Sequence, residues 1–124
     1  MTTQSERLRR RADFLRTARV GRKCAMPGLV LQAAGRLDTA ATTRVGFTAS
    51  RRVGGAVARN RARRRLKAAA AAVLRQSAAG AVDLVLIARP ETVTRPFPAL
   101  LADLETALRR TGVVRQDASR RRPT

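Results

Sequence analysis

Between Arg59 and Lys67, nine consecutive positions hold six cations and no acid. Burying such a run would cost more than any core could return, so the chain must keep it on a surface. At 100° per residue, Ala58, Ala62, Leu66, Ala69 and Val73 fall on one side of a helix, at steps of four, four, three and four. Asn60, Arg63, Arg64 and Lys67 form a stripe roughly opposite, flanked by Arg59, Arg61 and Arg65. The pattern predicts a helix that starts near Ala56 and ends between Arg75 and Gly80. Its alanine-lined back packs closely while guanidinium arms project outward.

A helix built only for solubility mixes Glu with Lys or Arg, because like charges three or four residues apart repel. This stretch accepts the repulsion, which points to a polyanion that removes it. The balance of the whole chain agrees. Its 124 residues carry a formal charge of +19, which attracts phosphate backbones and makes the free chain repel itself. No acid lies between Asp38 and Asp83, an interval that holds ten Lys or Arg. The length allows one domain with one modest core.

Catalytic chemistry is underprovided. The chain has no His, Tyr or Trp, one Cys and eight scattered carboxylates, so a general base, a metal-ligand cluster and a nucleophile with its base all lack their usual residues. We expect no cofactor held by protein ligands and no catalytic side chain. Cys24 has no second cysteine to pair with, which fits a reducing compartment, and it reads as a small apolar residue. No apolar segment follows the basic N-terminus and none approaches the length of a membrane span, so a cytoplasmic protein is expected. An anionic membrane is disfavoured because the basic helix offers Ala rather than Phe, Trp or Leu for insertion.

The remaining elements follow from periodicity. With 1–5 read as a frayed end, Glu6 to about Arg19 reads as a first helix with Ser5 as N-cap, Leu8, Ala12 and Leu15 as its apolar stripe, and Phe14 off the centre of that stripe. Gly21 ends it. Pro27-Gly28 prepares a strand over Leu29 to Ala34, followed by a turn or loop from Gly35 to Thr42. Arg44 to Ser50 alternates, with Val45, Phe47 and Ala49 inward and Arg44, Gly46, Thr48 and Ser50 outward, which leaves either an ordinary wet sheet face or one open to a ligand. Arg51 to Gly55 turns into the arginine helix. Its backbone amides could hold a phosphate, but the Gly-Gly pair lacks the spacing of a nucleotide loop. Val82 to Ala88 is a near-continuous apolar run, best placed mid-sheet with both faces covered, and Arg89-Pro90 closes it. Pro96 to Arg110 is a last helix, buried through Leu100, Leu101, Leu104, Ala107 and Leu108. Residues 115–124 form a basic tail expected to be disordered until it meets an anion, leaving 1–114 as the domain. The order is helix, two or three strands, helix, strand, helix: an α+β domain with a small mixed sheet.

The central stretch, Arg44-Val-Gly-Phe-Thr-Ala-Ser50-Arg-Arg-Val-Gly54 followed by Arg59-Asn60-Arg61-Ala-Arg63-Arg64, closely resembles the signature of the protein component of bacterial ribonuclease P. Arg7-Leu8 with Asp13-Phe14 and Gly21 resembles that family's first helix, and Asp83 to Pro90 its last strand, so the likeness covers about residues 6 to 110. The resemblance implies a fold like a domain of a small-subunit ribosomal protein, with a left-handed βαβ crossover against the usual rule. It implies a ribonucleoprotein that removes the 5′ leader of precursor tRNA, with Mg2+ held by the RNA subunit. By position it assigns Arg59, Asn60, Arg61, Arg63, Arg64 and Lys67 to the catalytic RNA, and Phe14, Ser50, Arg51 and Arg52 to a leader cleft. The chain departs from the pattern at Ala18, where a second aromatic is common, at Gly55 for Asn, at Lys67 for Arg, and at Ala68 for Glu or Gln. Lys67 loses the fork-like grip of Arg on phosphate.

Two other readings are a ribosomal or other structural RNA-binding protein without a role in cleavage, and a DNA-binding regulator. The latter is disfavoured because a strand, not a helix, precedes the arginine helix. If about six of these cations contact phosphate, affinity for the RNA subunit should fall on the order of a thousandfold between 50 and 200 mM salt. A binding isotherm that stays flat over that range contradicts it.

Overall fold

The computed structural model describes residues 5–36, 42–74 and 80–113. The expected basic tail, the frayed residues 1–4, much of the loop before Thr42 and the end of the arginine helix lie outside that set. The elements are β1 (Ser5–Arg7), α1 (Arg11–Val20), β2 (Arg22–Met26), β3 (Leu29–Gly35), β4 (Thr43–Thr48), a 3-10 turn (Arg51–Val53), α2 (Ala56–Leu74), β5 (Val82–Ala88), a second 3-10 turn (Pro90–Val93) and α3 (Phe97–Arg110). The strands form one mixed sheet in the order β1-β4-β5-β3-β2. β1, β4 and β5 run parallel, and β3 and β2 complete the sheet antiparallel. α2 is thus the crossover between the parallel strands β4 and β5. Among the described residues no helix is long and apolar enough to cross a membrane.

The apolar run Val82 to Ala88 takes the middle of the sheet, as its sequence requires. Leu84 and Leu86 point to one face, where with Leu29 and Leu31 they are wholly buried against Ala62, Leu66 and Ala69 of α2 and Leu100, Leu104 and Leu108 of α3. Each fully buried leucine contributes roughly 1.5–3 kcal/mol through removal of its surface from water. The small α2 residues let that helix sit close to the sheet, as the alanine-rich back predicts. Alternate residues of the same strands, including Ala34, Asp83, Val85 and Gly46, face the other way and lie buried on the side that carries α1.

The first helix differs from expectation. It begins at Arg11, not Glu6, and Arg10 rather than Ser5 holds the N-cap position, with no side-chain cap. Ser5–Arg7 instead adds a parallel edge to β4, with Glu6 opposite Arg44 and Arg7 opposite Val45, and the pairing continues through Leu8 N–H to Val45 O at 2.9 Å. Backbone pairing and burial of Leu8, 4% exposed, outweigh the local preference for a capped helix. The later start rotates the buried face: Thr17 is enclosed and Phe14 half-buried, while Ala12 and Leu15 are exposed. Pro27-Gly28 leads into the expected strand, now β3, and is also a hairpin turn, because β2 precedes it. β2 went unread because an edge strand pairs on one side only and needs no apolar run.

Two buried aspartates hold this architecture. Asp103 of α3 accepts from Gly28 N–H at 2.9 Å and from Arg95 Nε at 2.6 Å, while Thr92 Oγ1 donates to Gly28 O at 2.6 Å. A Cβ on Gly28 would lie 2.6 Å from Asp103 Oδ2, so only glycine fits this turn. In the sheet, Asp83 is fully buried and receives Arg44 Nε at 2.7 Å, Arg44 Nη2 at 2.8 Å and Arg36 Nη1 at 2.9 Å. Burial alone would raise its carboxyl pKa, but hydrogen bonds and charge from Arg44 and Arg36 outweigh this and hold it below the ordinary carboxylate value.

A carboxyl whose native pKa is depressed stabilises the fold fully above its unfolded value, about 3.9, and loses that contribution as pH falls through the native value. Urea denaturation should therefore show stability from this group unchanged between about pH 5 and 7 and declining below about pH 4. Asp83→Asn should remove that acid-dependent loss and cost about 3–5 kcal/mol at pH 7 by removing the buried anion that Arg44 and Arg36 share.

Candidate RNA interface

β4 delivers the chain to α2 through a short turn. Ser50 caps it, its Oγ accepting Arg52 N–H at 3.3 Å, and Gly54, at φ 141°, turns the backbone as only glycine does easily. Ser50, Arg51 and Arg52 are all exposed. α2 then buries Ala62, Leu66, Ala69, Ala70, Val73 and Leu74, with Ala58 half-buried against the core. Asn60, Arg61, Arg64 and Lys67 are exposed and Arg59 and Arg63 half-exposed, so the six positions form one outward surface. Asn60 and Arg63 are joined by Arg63 Nη2 donating to Asn60 Oδ1 at 2.6 Å. Among the described residues, no ion pair involves Arg59, Arg61, Arg63, Arg64 or Lys67.

Arg65 is different. It turns back, donating Nε to Thr92 O at 2.9 Å and Nη2 to Arg95 O, with its guanidinium over the Phe97 ring at 5.9 Å. The sequence pattern set it on the flank of the cationic stripe. In the fold it fastens α2 to the corner between the second 3-10 turn and α3. Val57, 82% exposed, was overlooked: it stands four and seven residues before Arg61 and Arg64 and puts an apolar spot on the same stripe.

The other sheet face supplies a second surface. Registers align Thr48 with Ile87, Ile87 with Val30, and Val30 with Ala25, giving a cross-strand row whose members are half-buried or exposed. This row is a shallow trough beside α1. Phe14 lies at its edge, directly on Gly46, where a Cβ would stand 2.5 Å from the ring's Cε1 and Cζ. Glycine at 46 is what lets the ring settle onto the sheet. One turn along α1, Ala18 is exposed, so no second ring lines this edge. Beyond Thr48 the chain runs through Ser50–Arg52 into the start of α2. Phe14 thus edges this row on the face that carries α1, and Ser50–Arg52 follow Thr48 in the chain, while α2 packs on the opposite face of the sheet.

Asp83 and Asp103 are saturated by arginines, and Asp13 Oδ2 lies 3.5 Å from Arg44 Nη1. Among the described residues no three His, Cys, Asp or Glu cluster, so we assign no step to a protein-held ion.

An α+β domain whose arginine helix, among the described residues, makes no ion pair through Arg59, Arg61, Arg63, Arg64 or Lys67 is an RNA-binding protein in build. The Ribonuclease P family model matches residues 2–112. The ribonuclease P protein component of Paramagnetospirillum magneticum is 50% identical over 119 residues, covering 94% of this chain and 90% of that one. That of Gluconacetobacter diazotrophicus is 50% identical over 113 residues, covering 91% and 97%. The solved RNase P protein of Staphylococcus aureus shares the fold, with a TM-score of 0.72 at 24% identity over 87% of this chain and 96% of that one. The Thermotoga maritima RNase P protein gives 0.68 at 25% identity over 85% and 96%. The chain belongs to the ribonuclease P protein family. It is the accessory protein subunit of an endoribonuclease of tRNA 5′ processing, whose catalytic centre is in RNA.

Arg65→Met keeps the aliphatic stem but abandons two backbone carbonyls. It should lower unfolding free energy by about 1–3 kcal/mol, whereas the exposed Arg64→Met should stay within about 0.5 kcal/mol, as read from paired urea titrations.

Proposed function

We propose that α2 docks on the catalytic RNA through Arg59, Asn60, Arg61, Arg63, Arg64 and Lys67, while the trough edged by Phe14 and continued by Ser50, Arg51 and Arg52 receives the 5′ leader of precursor tRNA. The observation that carries this is the outward cationic face of α2, which among the described residues makes no ion pair. Each arginine fork can grip one phosphate bidentately, and Lys67 adds a point charge without the fork. The half-buried Phe14 presents a ring to a base, a contact that tolerates any sequence because every base has a π-face.

Two RNAs that must meet at the cleavage site repel each other through their phosphates. Fixed cations placed between them lower that repulsion without the ordering of many free counterions. Phosphodiester hydrolysis itself belongs to the RNA subunit, with Mg2+ that the RNA holds, and this chain's residues bind and align. The complex works in the cytoplasm, where a lone thiol such as Cys24 stays reduced.

Adding the purified chain to the catalytic RNA and precursor tRNA at low magnesium should raise cleavage. Phe14→Ala should weaken holoenzyme affinity for leader-bearing precursor by about 1–3 kcal/mol and leave mature tRNA unaffected, whereas Arg64→Gln should weaken assembly with the RNA subunit. Equal loss of precursor and mature tRNA on Phe14→Ala contradicts the leader assignment.

A further inference from the structure

Gly35 pairs with Val82 at one end of the sheet and Thr48 with Ile87 toward the other, so the trough and the Gly35 end lie on opposite sides of α1. At the Gly35 end is a cavity of about 520 Å³, lined among others by Arg16, Val20, Arg22, Val82 and Gly112. Neither the trough residues nor the cationic face of α2 contributes to it.

Two guanidiniums define this cavity. Arg16 Nη2 donates to Gly35 O at 2.6 Å, which fixes the group while leaving its other donors available. Arg22 Nη1 would stand 3.3 Å from a Cβ on Gly112, a residue at φ 78°. Arg22 is not spent on capping α3. Thr111 N–H and Oγ1 already satisfy Ala107 O, Gly112 N–H takes Arg109 O and Val113 N–H takes Leu108 O. Among the described residues no acid lines the cavity and no ion pair involves Arg16 or Arg22. The cavity of about 420 Å³ beside β1 offers the contrast, since its arginines are accompanied by Glu6 and Asp13. Ala33, Ala34, Ala81 and Val82 also line it, and Val20 is 54% exposed beside it. Two guanidiniums lining one cavity, with no acid among the described residues beside them, attract an anion.

We propose that this cavity is a second phosphate-binding site, in which Arg16 and Arg22 grip an RNA phosphodiester while Val20 receives the adjoining sugar or base. It rests on the reading of the chain as an RNA-binding subunit but uses neither α2 nor the trough. The phosphate can come from the catalytic RNA or from precursor tRNA, and the two are separable.

The test measures salt-dependent affinity for full-length Arg22→Gln in two arms: the protein with the catalytic RNA, and the assembled holoenzyme with precursor tRNA. Losing one phosphate contact should weaken binding about four- to fivefold at 150 mM salt and lower the log-log salt slope by about 0.7–0.9. The arm that changes identifies the source of the phosphate. Arg22→Lys should restore the slope but only part of the affinity, a pattern that loss of fold does not produce. Arg64→Gln runs in parallel. Unchanged affinity and slope in both arms for Arg22→Gln overturns the second site whatever Arg64→Gln does, whereas an inert Arg64→Gln counts against the α2 interface alone.

Discussion

The structure depends on holding a helix that repels itself. Along α2, Arg59 with Arg63, Arg61 with Arg64 and Arg65, and Arg63 and Arg64 with Lys67 stand three or four residues apart. Each such like-charged pair costs a few tenths of a kcal/mol in an isolated helix. Packing supplies what local preference withholds. Leu66 and Val73, with Ala62, Ala69 and Ala70 between them, bury the back of the helix on the sheet, and Arg65 ties it to the corner before α3. The run of alanines both favours helix and permits the close approach. Charge on one face is therefore tolerated because the opposite face is over-determined.

The acids show the same division of labour. Asp83, Asp103 and Asp13 each meet an arginine of the sheet or of the loop before α3, namely Arg44 with Arg36, Arg95, and Arg44 again. Had any of them stood near Asn60 or Arg64, it would have neutralised the outward cationic surface of α2. Their placement keeps structural ion pairs and the open cationic face apart, so one composition serves both stability and binding.

Much of this was legible in the residues. The helix from Ala56, its buried and exposed faces, the central strand at Val82 and the last helix before Gly112 all follow from periodicity strong enough to override context, and the Arg44 to Arg64 signature identified the family. What escaped depended on long-range partners. Ser5–Arg7 is a strand only because β4 offers an edge, and β2 exists only because Pro27-Gly28 folds it onto β3. Phe14 could not be placed from α1 alone, since its seat is the missing side chain of Gly46. Arg65 reads like its neighbours in sequence and is separated from them only by carbonyls of Thr92 and Arg95, 27 and 30 residues away. Asp83 and Asp103 appear in apolar stretches where a charge looks misplaced until the arginines around them are seen.

The central position of β5 sets the order in which the molecule can be completed during synthesis. β3 and β4 do not touch as neighbours in the sheet; each pairs with β5, which is the penultimate regular element apart from the short turn before α3. Before Val82 leaves the ribosome, the β2–β3 hairpin and the β1–β4 pair are separate pieces, and the arginine rod is fully translated with nothing to press its alanines against. A nascent or truncated product ending short of that strand thus presents cations out of alignment. The alignment of the cations in the middle of the chain is in this sense conferred by its final third.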